Sequence, residues 1–196
     1  MIPKQQQRQD AKQRRFVLTA DAIRDKSQRI CEYARDMLQS YTTILVYSSK
    51  HPEVDTTALI ATLLRDKKEV IAPIIEKETR TLRLSYLRDM SVLVRSTFNV
   101  PEPIGNEIPA NPQDIEAGII PMVAYDRWGN RLGYGAGYYD KFLTTNRRMV
   151  KIGLAFACQE EDRIFSDSND VRMDYVVTEE CVYTCEKGIK APNIPR

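Results

Sequence analysis

The stretch TTILVYSSKHPEVDTTALIATLLRDKKEVIAPII, residues 42–75, decides the fold of this chain. Its β-branched, apolar opening, Thr42 to Ser49, predicts a short buried strand. The following run DTTALIATLLRDK has apolar residues on one side and predicts a helix with Asp55 as its N-cap. The run from Glu69 to Ile75 predicts a second strand. A strand–helix–strand unit of this length indicates parallel strands joined by a right-handed crossover, and therefore an α/β domain.

The same patterns continue on both sides of this unit. TLRLSYL predicts a more exposed strand, AGIIPMVAY a third apolar strand, and VKIGLAFA and YVVTEE the last two, while residues 88–112 are proline-rich and irregular. On the amino-terminal side, Thr19 is placed to cap a helix from Ala20 to Leu38, and Pro3 to open a basic helix before it. We predict one three-layer α/β domain over 1–196, with a mostly parallel, mixed open sheet flanked by helices. Residues 1–18 form an N-terminal helical arm.

Composition narrows the possible partners. The 196 residues carry a formal net charge of +2, which is too small to favour nucleic-acid binding by itself. Nothing approaches the ~18 consecutive apolar residues of a membrane span, and residues 1–16 lack the apolar core of a secretory signal. We therefore expect a cytoplasmic, monomeric protein that binds neither nucleic acid nor membrane. A mitochondrial presequence, which the basic first residues partly fit, is the alternative location.

The cysteines and the single histidine suggest no separate chemistry. Cys31, Cys158, Cys181 and Cys185 do not have the spacing of a disulfide framework, and we interpret them as reduced thiols. A thiolate metal site is the alternative for the last two, but it would need two more ligands. His51 is interpreted as an exposed loop residue rather than a general base.

The stretch RLGYGAGYYDKF, residues 131–142, carries alternating glycines and leads into a predicted helix from Tyr138 to Thr145. A strand, a glycine loop and a helix N-terminus together present unpaired N–H groups to an anion. The dinucleotide fingerprint G-x-G-x-x-G would need glycine at Tyr138, and the Gly-Lys-Ser/Thr of a P-loop is absent. The stretch is therefore a structural turn or an unusual phosphate loop. Arg131, which can grip phosphate, and Asp140, which can hold Mg²⁺, favour the second interpretation.

These residues carry a resemblance to a known family. NRLGYGAGYYDKFL resembles the signature of the 5-formyltetrahydrofolate cyclo-ligases, and the resemblance covers nearly the whole chain. Lys4 and Arg8, EVDT at 53–56, NVPEP at 99–103, AFACQ at 155–159 and DYVVTEE at 174–180 match further family segments in order. The chain departs from the family pattern at Ala136 and at Met122, where the family usually has glycine.

The resemblance implies ATP- and Mg²⁺-dependent cyclisation of 5-formyltetrahydrofolate to 5,10-methenyltetrahydrofolate, with ADP and phosphate released after phosphorylation of the formyl oxygen. It implies that the reduced folate and ATP are the partners and that no side chain acts as a covalent nucleophile. The implied ATP-binding residues are Lys4, Arg8, Arg131, Gly133, Tyr134, Gly135, Ala136, Gly137, Tyr138 and Tyr139. The implied folate-binding residues are Ser48, Glu53, Phe98, Tyr134 and Tyr138. Asp140 and Asp174 are implied as metal ligands, and Arg131 and Tyr138 as the catalytic residues that position substrate and stabilise charge.

Three alternatives stay open, of which one is an inactive relative that carries the same motifs. The enzyme could activate a different amide or formamide on the same scaffold, which the bulky Met122 near the expected folate pocket motivates. The chain could also be a non-catalytic nucleotide- or RNA-binding protein that uses its basic arm, although two carboxylates at the expected phosphate site argue against this. Within the arm, we interpret Lys12 and Arg15 as part of a solvated helix face.

Overall fold

The computed structural model describes residues 3–167, 170–185 and the backbone of 189–190. Nine strands of the described chain form one sheet, and they are β1 Thr43–Val46, β2 Glu69–Glu76, β3 Thr81–Leu87, β6 Ile108–Pro109, β7 Ala117–Pro121, β10 Val150–Leu154, β11 Tyr175–Val177, β12 Val182–Thr184 and β13 Ile189–Lys190. Their order across the sheet is β13-β12-β11-β10-β7-β1-β2-β3-β6. The five central strands, β11 to β2 in this order, run parallel, and antiparallel strands extend the sheet on both sides. The predicted mixed, mostly parallel sheet is therefore confirmed.

Two small hairpins lie outside the main sheet. Strand β4 Val94–Arg95 pairs with β5 Pro101–Glu102, and β8 Ala124–Tyr125 pairs with β9 Arg131–Leu132. The second hairpin corrects the sequence prediction, since the apolar run AGIIPMVAY leaves the sheet after Pro121 instead of continuing as one strand. Residues 88–112, predicted to be irregular, contain only short strands and 3-10 turns.

Helices cover both faces of the sheet. Helices α2 Ala20–Leu38 and α3 Thr57–Arg65 pack on one face, against side chains such as Ile44 and Val46. Helix α4 Tyr138–Thr145 packs on the other, where Leu45 points, because successive strand residues alternate between the faces. This alternation produces the three predicted layers.

The N-cap residue is the predicted one in α2 and a different one in α3. Thr19 caps α2 by accepting a hydrogen bond from the Ala22 N–H at 3.1 Å, as predicted. Asp55 is not the N-cap of α3; that position is Thr56. Asp55 instead accepts from the Thr57 N–H and from the Ser49 hydroxyl, so its carboxylate ties the end of β1 to the start of α3.

The N-terminal arm is the helix α1 Lys4–Phe16, and it lies against the β8–β9 hairpin. Its fully buried Ala11 packs in a small cluster with Val123, Leu132 and Ile164. Pro3 stands at the N-cap position, one residue earlier than predicted. The arm is thus packed on the domain beside the glycine loop.

Candidate active site

A cavity of about 490 Å³ opens where the parallel strands β1 and β7 end. The carboxyl ends of parallel strands are where ligands collect in open α/β sheets. The cavity is lined by every residue that the family resemblance implied for ATP or folate binding, together with Asp140. Its predicted lining residues are Lys4, Arg8, Ser48, Glu53, Phe98, Arg131, Gly133, Tyr134, Gly135, Ala136, Gly137, Tyr138, Tyr139 and Asp140.

The glycine loop forms one end of the cavity, between β9 and α4. Gly135 and Gly137 have φ angles of 101° and 77°, in the left-handed region that favours glycine. Gly137 is the N-cap of α4 and supplies no side chain, so no side chain caps the first N–H groups of a helix whose first three residues line the cavity. A Cβ atom on Gly133 would lie 3.0 Å from Nη1 of Arg131. The loop therefore offers backbone donors and fits closely against this guanidinium.

Arg131 and Asp140 form an ion pair at the base of the loop. The Arg131 Nη2 lies 2.5 Å from Asp140 Oδ1, and the arginine side chain is only 3% exposed. Its Nε is buried without a hydrogen-bond partner. The guanidinium also faces the ring of Tyr139, whose phenol pKa is raised by burial and by the charge of Glu53. A buried cation with an unused donor suits an anionic ligand.

Helix α1 brings two cations to the same end. The Lys4 ammonium contacts Asp167 at 2.6 Å and Asp170 at 2.7 Å, and both carboxylates line the cavity. Burial alone would lower the pKa of Lys4, but the two hydrogen bonds and charges outweigh it and raise the pKa. Burial alone would raise the pKa of Asp170, but the hydrogen bond from Lys4 and the Lys4 charge, together with the hydrogen bond from the Asp167 N–H, outweigh burial and lower it. Arg8 donates from Nε to the Gly133 carbonyl at 2.9 Å.

The other end of the cavity lies at the loop after β1. The Ser48 hydroxyl is buried there and lacks a partner. Glu53, also buried, accepts from the Lys50 N–H at 2.9 Å and from the Tyr134 hydroxyl at 2.5 Å. Burial and the Glu53 charge raise the pKa of the Tyr134 phenol, which Arg15 partly opposes. These groups make a polar, hydrogen-bonding wall opposite the phosphate end.

Phe98 stands at the mouth of the cavity. Its side chain is 52% exposed, and its φ of 55° places a large side chain in left-handed backbone. The ring meets Tyr138 edge to face with centroids 6.3 Å apart. Lys50 and Lys77 hold their ammonium groups over it, at 5.9 and 5.2 Å from the centroid. An exposed aromatic in costly backbone is a reasonable stacking surface for a planar ligand.

Three sequence assignments are corrected by the geometry. Asp174 does not line the cavity, because it precedes β11 and so lies at the opposite, amino-terminal edge of the parallel sheet. Its carboxylate pairs with Lys151 at 2.7 Å instead. Met122 is also outside the cavity. It is 3% exposed and packs on Gly153, where an added Cβ would lie 2.5 Å from its sulfur.

The third correction concerns Arg15, which is 4% exposed rather than solvated. Its Nη2 donates to the Tyr134 hydroxyl at 3.3 Å. Sequence reasoning also missed Asp167, Asp170 and Lys50 in the cavity wall. The acidic cluster DSND at 167–170 was the available signal for the first two. His51 is exposed, as predicted.

The residues of the cavity fit Mg²⁺ bound together with a phosphate. Among the described residues, no three carboxylate, cysteine or histidine side chains converge to hold a metal by themselves. Mg²⁺ in nucleotide sites is commonly held by one or two carboxylates, phosphate oxygens and waters. Asp140, Asp167 and Asp170 supply such carboxylates beside the glycine loop. No described helix combines the length and apolar character needed to cross a bilayer.

The chain is similar to several enzymes and solved structures of one family. A 5-formyltetrahydrofolate cyclo-ligase from Haemophilus influenzae is 32% identical over 86% of this chain and 93% of its own. The Escherichia coli 5-formyltetrahydrofolate cyclo-ligase is 29% identical over 85% and 95%. The NMR structure of Aquifex aeolicus 5,10-methenyltetrahydrofolate synthetase superposes with a TM-score of 0.80 at 28% identity, covering 98% of both chains.

A family model gives the same result over nearly the whole chain. The model that describes the 5-formyltetrahydrofolate cyclo-ligase family matches residues 1–179. The match includes the arm, the loop after β1 and the glycine loop. The chain belongs to the 5-formyltetrahydrofolate cyclo-ligase family, the enzymes of one-carbon metabolism that form 5,10-methenyltetrahydrofolate from the 5-formyl compound.

Proposed function

We propose that this cavity cyclises 5-formyltetrahydrofolate to 5,10-methenyltetrahydrofolate and uses one ATP, releasing ADP and phosphate. One observation carries the proposal: a single cavity joins a cationic glycine loop suited to a triphosphate with a polar and aromatic wall suited to a reduced pterin. Its 490 Å³ is within the usual range of small-ligand pockets. One cavity would thereby hold both substrates next to each other.

The reaction needs an activated formyl oxygen. That oxygen attacks the γ-phosphorus and displaces ADP, which gives an imidate phosphate on the folate. The other folate nitrogen, N10, then attacks the formyl carbon and loses its proton, and the C–O bond breaks to release phosphate as the ring closes. No step requires a covalent bond to the protein. The protein's contribution is to align the reactants and stabilise the charge on the transferred phosphoryl group.

The phosphate end would hold ATP through Lys4, Arg8 and the backbone of residues 133–137. The open N–H groups of α4 and the helix dipole favour the phosphates there. Arg131 is the candidate for stabilising charge in the transition state, because it is buried and has an unused Nε donor. Tyr138, which meets Phe98 at the mouth, would position the formyl group against the γ-phosphate.

The folate end would use Ser48 and Glu53 for hydrogen bonds and Phe98 for stacking. A carboxylate such as Glu53 can accept the N–H donors of a pterin, and the unpaired Ser48 hydroxyl is free to bind another of its polar atoms. Tyr134 belongs to both ends: its backbone is in the glycine loop, and its hydroxyl contacts Glu53.

Mg²⁺, when bound with ATP, would neutralise charge on the phosphates. Asp140 stays the proposed ligand, and Asp170 or Asp167 replaces Asp174 as the second acidic contact. The alternative of a different amide substrate loses its motivation, since Met122 packs in the core rather than in the cavity. A cytoplasmic location remains a prediction; a relative from Arabidopsis thaliana, 29% identical over 64% of this chain, is described as mitochondrial.

The test is a coupled measurement on purified protein with 5-formyltetrahydrofolate, Mg²⁺ and ATP. We expect the near-ultraviolet absorbance of the methenyl product to grow only with ATP present, with one ADP formed for each product. ATP bound in calorimetry without product, or product without ADP, would contradict the proposal.

A further inference from the structure

Arg15 is a buried cation whose role neither the sequence nor the family match assigns. It lies on the last turn of α1 and is 4% exposed, although it carries a permanent charge. Its Nε is buried without a partner, and no carboxylate of the described residues lies within ion-pair distance of it. Burying a charge without compensation is costly, so the contact that it does make deserves an explanation.

That contact is the Tyr134 hydroxyl, 3.3 Å from Nη2 of Arg15. The same hydroxyl lies 2.5 Å from Oε1 of Glu53. A guanidinium can only donate, so the hydroxyl oxygen must accept from Arg15 and direct its own proton to the carboxylate. The three groups therefore form a one-way chain from α1 through the glycine loop to the loop after β1.

The chain fixes the carboxylate that faces the folate end. Oε2 of Glu53 is already held by the N–H of Lys50, within its own loop. Oε1 depends on Tyr134, and the orientation of the Tyr134 hydroxyl depends on Arg15. Lys12 and Lys50 face the Tyr134 ring, at 5.5 and 5.1 Å from its centroid, but neither of these contacts involves the hydroxyl. Arg15 is thus the only described cation that hydrogen-bonds this hydroxyl.

We propose that Arg15 is a positioning residue for the folate: it acts through Tyr134 to hold Glu53 in the orientation that binds the substrate. The proposal rests on the proposed function, because it assumes that Glu53 binds the folate. It does not require Arg15 to contact either substrate. Its consequence is selective: the affinity for the folate depends on Arg15, while the affinity for ATP does not.

The test is a double-mutant cycle with Arg15→Met and Tyr134→Phe. Arg15→Met removes one hydrogen bond to the Tyr134 hydroxyl, and Tyr134→Phe removes both hydrogen bonds of that hydroxyl, so each should raise the KM for 5-formyltetrahydrofolate about tenfold or more. The double variant should be no more than about threefold worse than the weaker-binding single variant, since both changes break one chain. For Arg15→Met, the kcat and the KM for ATP should stay within about threefold of the wild type. Arg15→Lys, which keeps a cationic donor, should lose less than Arg15→Met.

Arg14→Met is the matched control. Arg14 neighbours Arg15 and anchors the same helix, donating to the Cys158 carbonyl at 2.6 Å and pairing with Glu161, but it does not contact Tyr134. If Arg14→Met raises the folate KM as much as Arg15→Met, the effect comes from loss of arm docking and the proposal is wrong. Fully additive effects of the two cycle changes would also overturn it. Repeating the cycle with the calorimetric Kd of the folate tests the proposal even if the proposed reaction does not occur, because binding is measured without turnover. If Arg15→Met does not fold, Tyr134→Phe still tests whether the hydroxyl is needed for folate affinity.

Discussion

Arg131 and Asp140 face each other across the glycine loop, with the Arg131 Nη2 2.5 Å from Asp140 Oδ1. Arg131 lies in β9, just before the loop, and Asp140 lies in the first turn of α4, so the pair ties the two ends of the loop together. The carboxylate is 31% exposed, whereas the guanidinium is almost fully buried. Asp140 can therefore serve the cavity and hold Arg131 at the same time.

The first prediction concerns Asp140→Asn. Loss of the carboxylate removes a proposed metal ligand and leaves Arg131 without its counter-charge. We expect kcat to fall at least about a hundredfold, as for loss of a main electrostatic contact. The free energy of unfolding should fall by about 1–2 kcal/mol, less than for a fully buried pair because Asp140 is partly solvated. The methenyl absorbance and a denaturant titration measure both effects. Lys141→Gln, an exposed neighbour in the same helix, should change neither.

A second prediction addresses the arm. The double variant Lys4→Ala, Arg8→Ala should raise the KM for ATP about tenfold or more, because two cations that face the phosphate end are removed. Gln9→Ala, at an exposed position of the same helix, should leave the KM for ATP unchanged. An unaltered KM for ATP in the double variant would show that the arm does not bind the nucleotide.

The third prediction compares two glycines that have nearly the same left-handed φ angle. Gly137 and Gly105 have φ angles of 77° and 82°, and an added Cβ would meet nothing within 4 Å at either position. Alanine at each should therefore cost a similar amount, roughly 1 kcal/mol of stability, from left-handed strain alone. Only Gly137→Ala places its methyl group in the proposed phosphate site, so only this variant should lose activity. Equal kcat/KM values for the two variants would remove the glycine loop from the nucleotide site.

A fourth prediction separates two carboxylates in the closing segment. Asp170 lies in the cavity wall, whereas Asp174 pairs with Lys151 at the opposite edge of the sheet. We expect Asp170→Asn to raise the Mg²⁺ concentration that gives the half-maximal rate about tenfold, because the variant loses one carboxylate contact to the ion. Asp174→Asn should leave this concentration unchanged and affect only stability. The reverse result in magnesium titrations would restore the original assignment of Asp174.

The fifth prediction is a pH dependence of stability. Glu116 accepts from the N–H groups of Thr42 and Thr43, and these bonds lower the pKa of its carboxyl below the usual 4.5. A lowered pKa contributes stability that is present above the unfolded value and is lost as pH falls through the folded value. The wild type should therefore be more stable than Glu116→Gln at pH 7, and the difference should shrink below about pH 4.5. Urea titrations across this range measure it, and a constant difference would exclude the charge as the cause.

The sequence predicts the central strands well because each is a short apolar run with β-branched residues between turn signals. It fails at residues 122–125, where the run stays apolar although the chain has left the sheet to form a hairpin. The pattern of residues along the chain cannot show that Met122 packs on Gly153. Gly153 lies in β10, which pairs with β7, and its missing side chain leaves the space that Met122 fills. Tertiary packing decides that boundary.

The need for tertiary information also explains which site residues could be predicted from the sequence and which could not. The glycine loop and the arm cations form contiguous patterns that can be recognised along the chain. Arg15 cannot be separated from Lys12 by spacing alone, because both belong to a basic helix and only the docked helix shows which one is buried. Asp170 and Asp174 are four residues apart in one acidic segment, and the start of β11 determines which of them reaches the cavity.

The two edge strands of the main sheet affect whether molecules of this protein can associate by strand pairing. Both outermost strands of the described sheet, β6 and β13, are two residues long, and β6 contains Pro109. Proline lacks the N–H that a further strand would need, and an edge strand of two residues offers few backbone groups for pairing. Extension of the sheet from one molecule to the next is thus disfavoured at both ends. A concentrated solution of the protein should resist strand-mediated polymerisation, which light scattering over days at high concentration can establish.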